Sequence, residues 1–195
     1  TGTHLEMSTR RGMLKAPFYN VPLTSEAIEQ AIESARPHEL PLDRQILHLL
    51  PQSYAVDGLQ GVRNPMGMHA LRLDVETLCI VGGTTPIQNL VHAVESSRIQ
   101  TKSLVMSGIA AGEACLTRDE KEMGVVLIDI GGGVTTITWF QNGTIVNAAV
   151  LPVGGHQFTT DLAVALNTPY NVAEELKLLH GQANAEDIGE ERVEV

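Results

Sequence analysis

The spacing of apolar residues in the first half of the chain alternates between helix and strand periods. In "VPLTSEAIEQAIESAR", residues 21–36, they recur every three or four positions, which predicts an amphipathic helix with Thr24 as N-cap and Pro37 after its end. The stretches "RRGMLKA", "RQILHLLPQSYAVDG" and "HALRLDVETLCIVGG" predict strands, with "LQGVRNPMGM" as the loop between the last two. The predicted order is strand, helix, strand, strand.

The second half of the chain predicts shorter elements. Residues 86–98 predict a second amphipathic helix with Pro86 in its first turn, "KSLVMSG" a short buried strand, "IAAGEACL" a closely packed helix of small residues, and "TRDEKEMG" a charged linker. "GVVLIDIGGG" and "VTTITWFQNGTIVNAAVLPV" predict a β-meander with Asn142-Gly143 as a hairpin turn. "NVAEELKLLHG" predicts a last helix with Asn171 as N-cap and Gly181 just past its end. The fold class is therefore α/β.

Composition and charge exclude several classes of protein. The 195 residues, 43% of them hydrophobic, suffice for one core or two small domains. A formal net charge of −10 with 13 scattered Lys and Arg argues against a nucleic-acid partner. No apolar run approaches the roughly 20 residues of a membrane span, and the start lacks the apolar core of a secretory signal. Two cysteines without metal or redox spacing fit a reducing compartment, so we expect a cytoplasmic location.

The candidate chemistry lies where an apolar strand ends in one carboxylate and three glycines. A strand that delivers Asp129 to the turn Gly131–Gly133 lets backbone N–H groups approach a phosphate while the carboxylate orients water around Mg²⁺. The alternative is a bulged hairpin in which Asp129 caps its own turn. No helix follows the glycines directly, so this is neither a Walker loop nor a dinucleotide-binding turn. The histidines do not have metal-ligand spacing.

Several segments together resemble one protein family. "LIDIGGGVTTITWFQNGTIVNAAVLPVGGHQFTTDLA" resembles the second phosphate loop of the actin, Hsp70 and sugar-kinase superfamily. The segments "GTHLE", "ILHLLPQSYAVDG", "NPMGM", "LTRDEKEMG" and "AEELKLLHG" are similar, in this order, to the FtsA family of bacterial cell-division proteins. The resemblance implies an actin-like fold in which the strand–helix–strand–strand unit is an inserted subdomain called 1C.

The resemblance also implies domain boundaries. Residues 1–11 would end a strand of subdomain 1A, 12–82 would form the SHS2-like subdomain 1C, 83–118 would return to 1A, and 119–195 would begin subdomain 2A. The chain is therefore expected to be a central fragment, without the first phosphate loop, subdomain 2B and the C-terminal membrane helix. A 2A segment cut in this way would leave "VVLIDI" or the meander with an unprotected edge, which favours self-association.

The resemblance further implies a nucleotide site for ATP and Mg²⁺. It places Asp129 at Mg²⁺ through a water molecule. It assigns phosphate or nucleoside contacts to Gly131, Gly132, Gly133, Thr135, Thr136, Gly154, Gly155, Glu174 and Lys177. For Glu174 and Lys177, three apart on a helix, the alternative is an exposed ion pair. Relatives commonly carry an acid where this chain has Thr136, and a hydroxyl cannot act as a base at neutral pH. We therefore expect no catalytic residue, half of a nucleotide cleft, and at most weak ATPase activity of the intact protein.

The implied function is that of an adaptor in cell division. Such a protein binds ATP, polymerises, links the FtsZ ring to the inner membrane at its cytoplasmic face and recruits later division proteins, with membrane contact only through the C-terminal helix. Partner contacts are expected on the first helix, at Glu26, Glu29, Glu33 and Arg36. Two alternatives remain: a PilM-like pilus-assembly homologue, and an ATP-hydrolysing or phosphoryl-transferring enzyme of the same superfamily. The enzyme would need a catalytic base and a first phosphate loop, and the sequence shows neither.

Overall fold

The computed structural model describes residues 2–15 and 22–184, which divide into two compact units. The first unit contains the described residues up to 129 together with 136–150. The second contains 130–135 and the described residues from 151 onward. The predicted start of the first helix at residue 21 and the acidic segment 185–195 lie outside the described residues.

A four-stranded antiparallel sheet with one helix forms the first part of the first unit. Its strands are β1 (Leu5–Lys15), β2 (Arg44–Val56), β3 (Leu59–Val62) and β4 (Arg72–Gly83), in the spatial order β1-β4-β2-β3. β1 pairs with β4 along its whole length, from Leu5 opposite Gly82 to Lys15 opposite Arg72. Helix α1 (Ser25–Ser34) follows β1 in the chain and packs on this sheet. The predicted strand, helix, strand and strand correspond to β1, α1, β2 and β4, and β3 is an additional strand.

Helix α1 begins where its cap was predicted, because the Thr24 hydroxyl accepts a hydrogen bond from the Ala27 N–H at 3.3 Å. Its apolar side joins a core of six buried residues: Leu23, Ala31, Val56, Ala70, Leu73 and Val75. Gly12 lets the helix approach β1 closely, since a Cβ at this position would lie 2.2 Å from the Ala31 carbonyl oxygen. The helix and the sheet therefore touch backbone to backbone.

The loop predicted between β2 and β4 contains a strand, so that part of the prediction is wrong. β3 pairs with β2 through Tyr54 opposite Val62. The strands turn at Asp57 and Gly58, whose φ angles of 48° and 90° both lie in the left-handed region. Asp-Gly is a preferred pair for such a two-residue hairpin turn, but the neighbouring Gly and Pro residues obscured this signal.

The rest of the first unit contains three helices and a three-stranded sheet. Helices α2 (Thr84–Ser96), α3 (Ser107–Cys115) and α4 (Arg118–Met123) precede strands β5 (Val125–Ile130), β6 (Thr135–Gln141) and β7 (Thr144–Leu151), which lie in the order β5-β6-β7. A second core contains Leu78, Ile80, Met106, Phe140, Ile145 and Ala148. A Cβ on Gly112 of α3 would lie 2.3 Å from the Phe140 ring, which confirms the predicted close packing of this small-residue helix.

The meander and its hairpin are confirmed as well. Asn142 and Gly143 connect β6 to β7 with φ angles of 53° and 75°, the combination that a type I′ turn requires. β5 forms an edge of this sheet, and its side chains Val126 and Ile128 are 54% and 56% exposed. The predicted unprotected edge at "VVLIDI" is thus present among the described strands, whereas its role in self-association stays a prediction.

Two predicted elements between α2 and β5 are wrong. The segment "KSLVMSG" is not a strand: the Met106 N–H donates to Nε2 of His48 at 3.1 Å instead of to a neighbouring strand, and α3 starts at Ser107. The predicted linker "TRDEKEMG" contains α4. Thr117 and Glu120 form a capping box, with each side chain bonded to the other residue's backbone N–H, and this explains a helix in so polar a stretch.

Helices α5 (Gly155–Ala165) and α6 (Tyr170–His180) make up most of the second unit. The last helix was predicted, but Asn171 is not its N-cap. Pro169 occupies that position, so the helix starts two residues earlier than the predicted cap implied. Gly181 follows the last helical residue, as expected.

The predicted domain boundaries do not coincide with breaks in the described structure. The boundary between residues 11 and 12 falls inside the continuous strand β1, and the two compact units divide at residues 129 and 130 instead of 118 and 119. The assignment to subdomains stays a prediction. No helix in the described residues is both long and apolar enough to cross a membrane.

Candidate phosphate-binding site

The three glycines after β5 form a tight, exposed loop. The Gly131 N–H donates to the Val134 carbonyl oxygen at 2.9 Å, which closes a turn between β5 and β6. Gly131, Gly132 and Gly133 are all exposed to solvent. The N–H groups of Gly132 and Gly133 have no hydrogen-bond partner among residues 2–15 and 22–184. The loop therefore presents two free backbone donors with no side chain in front of them.

The start of α5 holds this loop through main-chain hydrogen bonds. The Gly155 N–H donates to the Gly131 carbonyl oxygen at 3.0 Å, and the His156 N–H donates to that of Gly132 at 2.7 Å. Gly154 makes this approach possible, because a Cβ on it would lie 2.4 Å from the Gly131 oxygen. The N–H groups of Gly155 and His156 are thus bonded to the loop carbonyl oxygens, whereas those of Gly132 and Gly133 have no partner in the described segments.

The segment before α5 adds side-chain contacts within the same unit. Gln157 accepts a hydrogen bond from the Gly154 N–H at 2.8 Å, so its side chain caps the start of the helix. The Thr135 hydroxyl donates to the Val153 carbonyl oxygen at 2.7 Å. Thr135, predicted as a nucleotide contact, therefore uses its hydroxyl to tie the end of the loop to the segment that leads into α5.

His156 lies beside the glycine loop. Its Nε2 atom is 3.0 Å from the position that a Cβ on Gly132 would take, and its Nδ1 atom is 2.7 Å from the Tyr170 hydroxyl of α6. The two rings are tilted by 48° with centroids 6.4 Å apart. His156 is exposed, but its ring has a specific partner in the Tyr170 hydroxyl.

Glu174 and Lys177 form a network with the buried Thr159. The Lys177 ammonium donates to the Glu174 carboxylate at 2.7 Å, to the Thr159 hydroxyl at 2.8 Å and to the Gly155 carbonyl oxygen at 3.2 Å. The Thr159 hydroxyl also bonds to the Glu174 carboxylate. These hydrogen bonds, from Lys177 first and from Thr159 second, lower the pKa of Glu174. All three donors of the ammonium are engaged, so a nucleoside contact would replace one of these bonds.

Asp129 and Thr136 flank the loop at the ends of two strands. Asp129 is partly buried in β5, one residue before the end of the strand. Thr136 is only 1% exposed, and its Cγ2 methyl group would lie 3.2 Å from a Cβ on Gly108 of α3. Thr136 therefore packs into the interior of the first unit. Within the described segments, no three His, Cys, Asp or Glu side chains come together as a metal site.

The structure thus brings together part of the predicted set. The loop Gly131–Gly133 meets Gly154 and Gly155 directly, and Lys177 reaches the Gly155 carbonyl. Sequence reasoning missed Thr159 and Tyr170. The position of Tyr170 carried a signal: it precedes Glu174 by four residues and Lys177 by seven, so all three share one face of α6.

The predicted partner residues lie in the first unit, along α1 and just past its C-terminal end. Glu26, Glu29, Glu33 and Arg36 line a groove of about 660 Å³ together with residues 46–49 of β2. Arg36 donates to both oxygens of the Glu33 carboxylate and thereby lowers its pKa. Glu26 and Glu29 have no ion-pair partner in the part of the chain that the structure describes.

Two family models match the chain on either side of its centre. The model of the SHS2 domain inserted in FtsA matches residues 2–81, and the model of the cell division protein FtsA matches residues 126–195. The chain belongs to the FtsA family. This confirms the resemblance stated above and the SHS2-like insertion in the predicted fold.

Curated FtsA proteins support the same assignment. The cell division protein FtsA of Neisseria meningitidis serogroup B is 37% identical over 96% of this chain and 45% of its own length. FtsA of Escherichia coli strain K12 is 33% identical over the whole chain and 46% of its own length. The chain therefore spans a little under half the length of the FtsA relatives that it matches.

A solved structure extends the likeness to the fold. The PilM-PilN type IV pilus biogenesis complex contains a chain that superposes with a TM-score of 0.60, covering 91% of this chain and 48% of that one at 18% identity. Identity at this level shows the fold alone. It confirms the predicted α/β, actin-like fold, and the FtsA family models favour the division protein over the pilus-assembly alternative.

Proposed function

We propose that the protein is a non-catalytic adaptor of bacterial cell division. In its intact form it binds ATP with Mg²⁺, polymerises, links the FtsZ ring to the cytoplasmic face of the inner membrane and recruits later division proteins. The observation that carries the proposal is the match to both FtsA family models, over residues 2–81 and 126–195. The same fold serves unrelated activities, so the assignment of function depends on the family match and the site, and not on the fold alone.

The glycine loop supports the nucleotide part of the proposal. Two exposed N–H groups without partners, on a loop held by main-chain bonds, can bind phosphate oxygens without displacing an existing contact. Asp129 would orient a water molecule of Mg²⁺, and the metal would neutralise the phosphate charge. The N–H groups of Gly155 and His156 hold the loop by donating to its carbonyl oxygens, and Gly154 permits the close approach.

The environment of Thr136 supports a binding role over a catalytic one. Its side chain is buried and is a hydroxyl where relatives commonly carry an acid. Neither property suits a group that must take a proton from an attacking water molecule. We therefore expect the intact protein to hold ATP far longer than an efficient ATPase would.

The groove beside α1 is the proposed contact surface for division partners. Its α1 side carries three carboxylates and one guanidinium, and Glu33 already compensates Arg36. Glu26 and Glu29 therefore give the groove a net negative charge that is available to a partner. Both side chains are exposed on a helix with an N-cap, so a partner can reach them and the fold does not depend on them.

A binding experiment tests the nucleotide part. The full-length protein that carries this sequence is titrated with ATP and Mg²⁺ by calorimetry, beside Asp129→Ala and this 195-residue chain, each shown to be folded by circular dichroism. We expect binding by the full-length protein, weaker binding by Asp129→Ala, and little or none by the chain alone. ATP turnover orders of magnitude above background would instead favour the enzyme alternative.

A second experiment tests the adaptor part. Co-sedimentation with FtsZ filaments and with vesicles of inner-membrane lipids is compared for the unmodified full-length protein and for Glu26→Lys combined with Glu29→Lys. The matched control is Glu95→Lys, an exposed charge reversal on α2. We expect the double change alone to weaken partner binding or self-association. Failure of the unmodified protein to bind FtsZ would refute the adaptor proposal, and an unaffected double variant would remove α1 from it.

A further inference from the structure

The ring of His156 lies beside Gly132 of the glycine loop. A Cβ placed on Gly132 would lie 3.0 Å from Nε2, the nearest ring atom. A Cβ placed on Gly133 would lie 3.9 Å from Cδ2. In the part of the chain that the structure describes, Nε2 has no hydrogen-bond partner. The space beside Nε2 is open because Gly132 has no side chain to fill it.

Tyr170 determines which ring nitrogen is available. Its hydroxyl is 2.7 Å from Nδ1, so a hydroxyl that donates there leaves the proton of the neutral ring on Nε2. A doubly protonated ring keeps the contact by donating from Nδ1 to the hydroxyl oxygen. In these two states Nε2 carries a proton and can donate to an anion bound beside the loop, whereas a neutral ring protonated on Nδ1 would offer Nε2 as an acceptor.

Three groups without a hydrogen-bond partner in the described part of the chain therefore belong to the loop and to the side chain beside it: the N–H groups of Gly132 and Gly133, and Nε2 of His156. The N–H groups at the start of α5 do not contribute, since they are bonded to the carbonyl oxygens of Gly131 and Gly132. We propose that His156 contacts a phosphate of the bound nucleotide through Nε2, and that this contact makes nucleotide binding tighter as the pH falls. The inference rests on the proposed nucleotide-binding function and adds a pH-dependent contact to it.

The charge of the bound phosphate determines the sign of this dependence. The ionisable side chains of α6 near the ring are Tyr170, Glu174 and Lys177, of which Glu174 and Lys177 form an ion pair at 2.7 Å. The loop contributes no ionisable side chain. A bound phosphate adds negative charge, so it favours the protonated ring, and binding takes up protons.

Calorimetry of the full-length protein that carries this sequence tests the inference. ATP with Mg²⁺ is titrated at about pH 6 and about pH 8, and in buffers of different ionisation enthalpy to count the protons taken up. His156→Gln keeps a donor but cannot titrate. We expect it to bind about tenfold more weakly than the unmodified protein at the lower pH, nearly equally at the higher pH, and with less proton uptake. Comparing the two proteins cancels the titration of ATP itself.

Two further variants make the result specific. Tyr170→Phe should weaken binding about threefold, because the ring loses its orienting partner. His180→Ala, an exposed histidine at the end of α6, should leave affinity and proton uptake unchanged. Equal affinity and proton uptake in the His156→Gln and unmodified proteins would overturn the inference and leave nucleotide binding intact. No binding by the unmodified protein would overturn the proposed function and, with it, the inference.

Discussion

Replacing Gly154 by alanine tests whether the main-chain contact between the loop and α5 has the tight geometry described above. The added Cβ would lie 2.4 Å from the Gly131 carbonyl oxygen and 2.7 Å from the Gly132 carbonyl carbon. Both contacts are with backbone, so no side chain can rotate away. Bringing the first contact to 3.0 Å requires the two segments to separate by about 0.6 Å. The backbone of Gly154 is extended, with φ −163°, so the cost comes from this contact and not from φ strain.

The size of the effect follows from what the separation breaks. The 3.0 Å bond from the Gly155 N–H to Gly131 would lengthen to about 3.6 Å, beyond hydrogen-bonding distance, and the 2.7 Å bond from His156 would weaken. Overpacking costs about 1–3 kcal/mol and a lost hydrogen bond about 1 kcal/mol, so we expect a total of about 2–4 kcal/mol in the second unit. Hydrogen exchange at the Gly155 and His156 amides should accelerate by about 30-fold to 1000-fold.

Gly155→Ala is the matched control for this experiment. A Cβ on Gly155 would approach nothing closer than the Lys177 ammonium nitrogen at 3.7 Å, an ordinary contact. Alanine also favours a helix over glycine by about 1 kcal/mol, so this variant should exchange no faster than the unmodified chain. Equal exchange in Gly154→Ala and Gly155→Ala would refute the tight approach of loop and helix.

Three further predictions concern pH and association. Burial lowers the pKa of His48 below its ordinary 6.5, so stability should fall as the pH drops below that value, and urea denaturation of His48→Gln should show a flatter pH profile. The pKa of Glu174 is lowered in the folded chain, so its carboxylate stabilises the fold above the ordinary pKa of 4.5. This stability is lost as the pH falls through the lower pKa of the folded state. Glu174→Gln should therefore remove this acid dependence from thermal unfolding of the second unit. The exposed edge of β5 should make the chain associate at high concentration, and Ile128→Lys should shift its sedimentation toward monomer, whereas a wholly monomeric unmodified chain would contradict the reasoning.

Local signals in the sequence were sufficient for much of the first unit. Thr24 caps α1, and Asn142-Gly143 forms the turn between β6 and β7, because each depends on residues only a few positions apart. The same kind of signal was present but overlooked at Asp57-Gly58 and at the capping box of Thr117 and Glu120. In both cases surrounding Gly, Pro or charged residues suggested an irregular segment.

Contacts between distant residues could not be predicted in the same way. The Met106 N–H is bonded to His48, 58 positions away, and this bond accompanies an irregular backbone where a strand was expected. The partners of Lys177 are known only once α5 and α6 are docked, because Gly155 and Thr159 lie 22 and 18 positions earlier. Periodicity identifies which residues share a helix face, but not what that face meets.

The attachment of the glycine loop to α5 has a consequence for sequence change over evolution. Its two bonds join backbone atoms, so replacement of a side chain does not delete them. Proline at residue 155 or 156 would remove an N–H donor, and any Cβ at Gly154 would collide with the backbone of the loop. Substitutions of other side chains leave these two bonds in place, so a change in the chemistry beside the loop need not change how the loop is held.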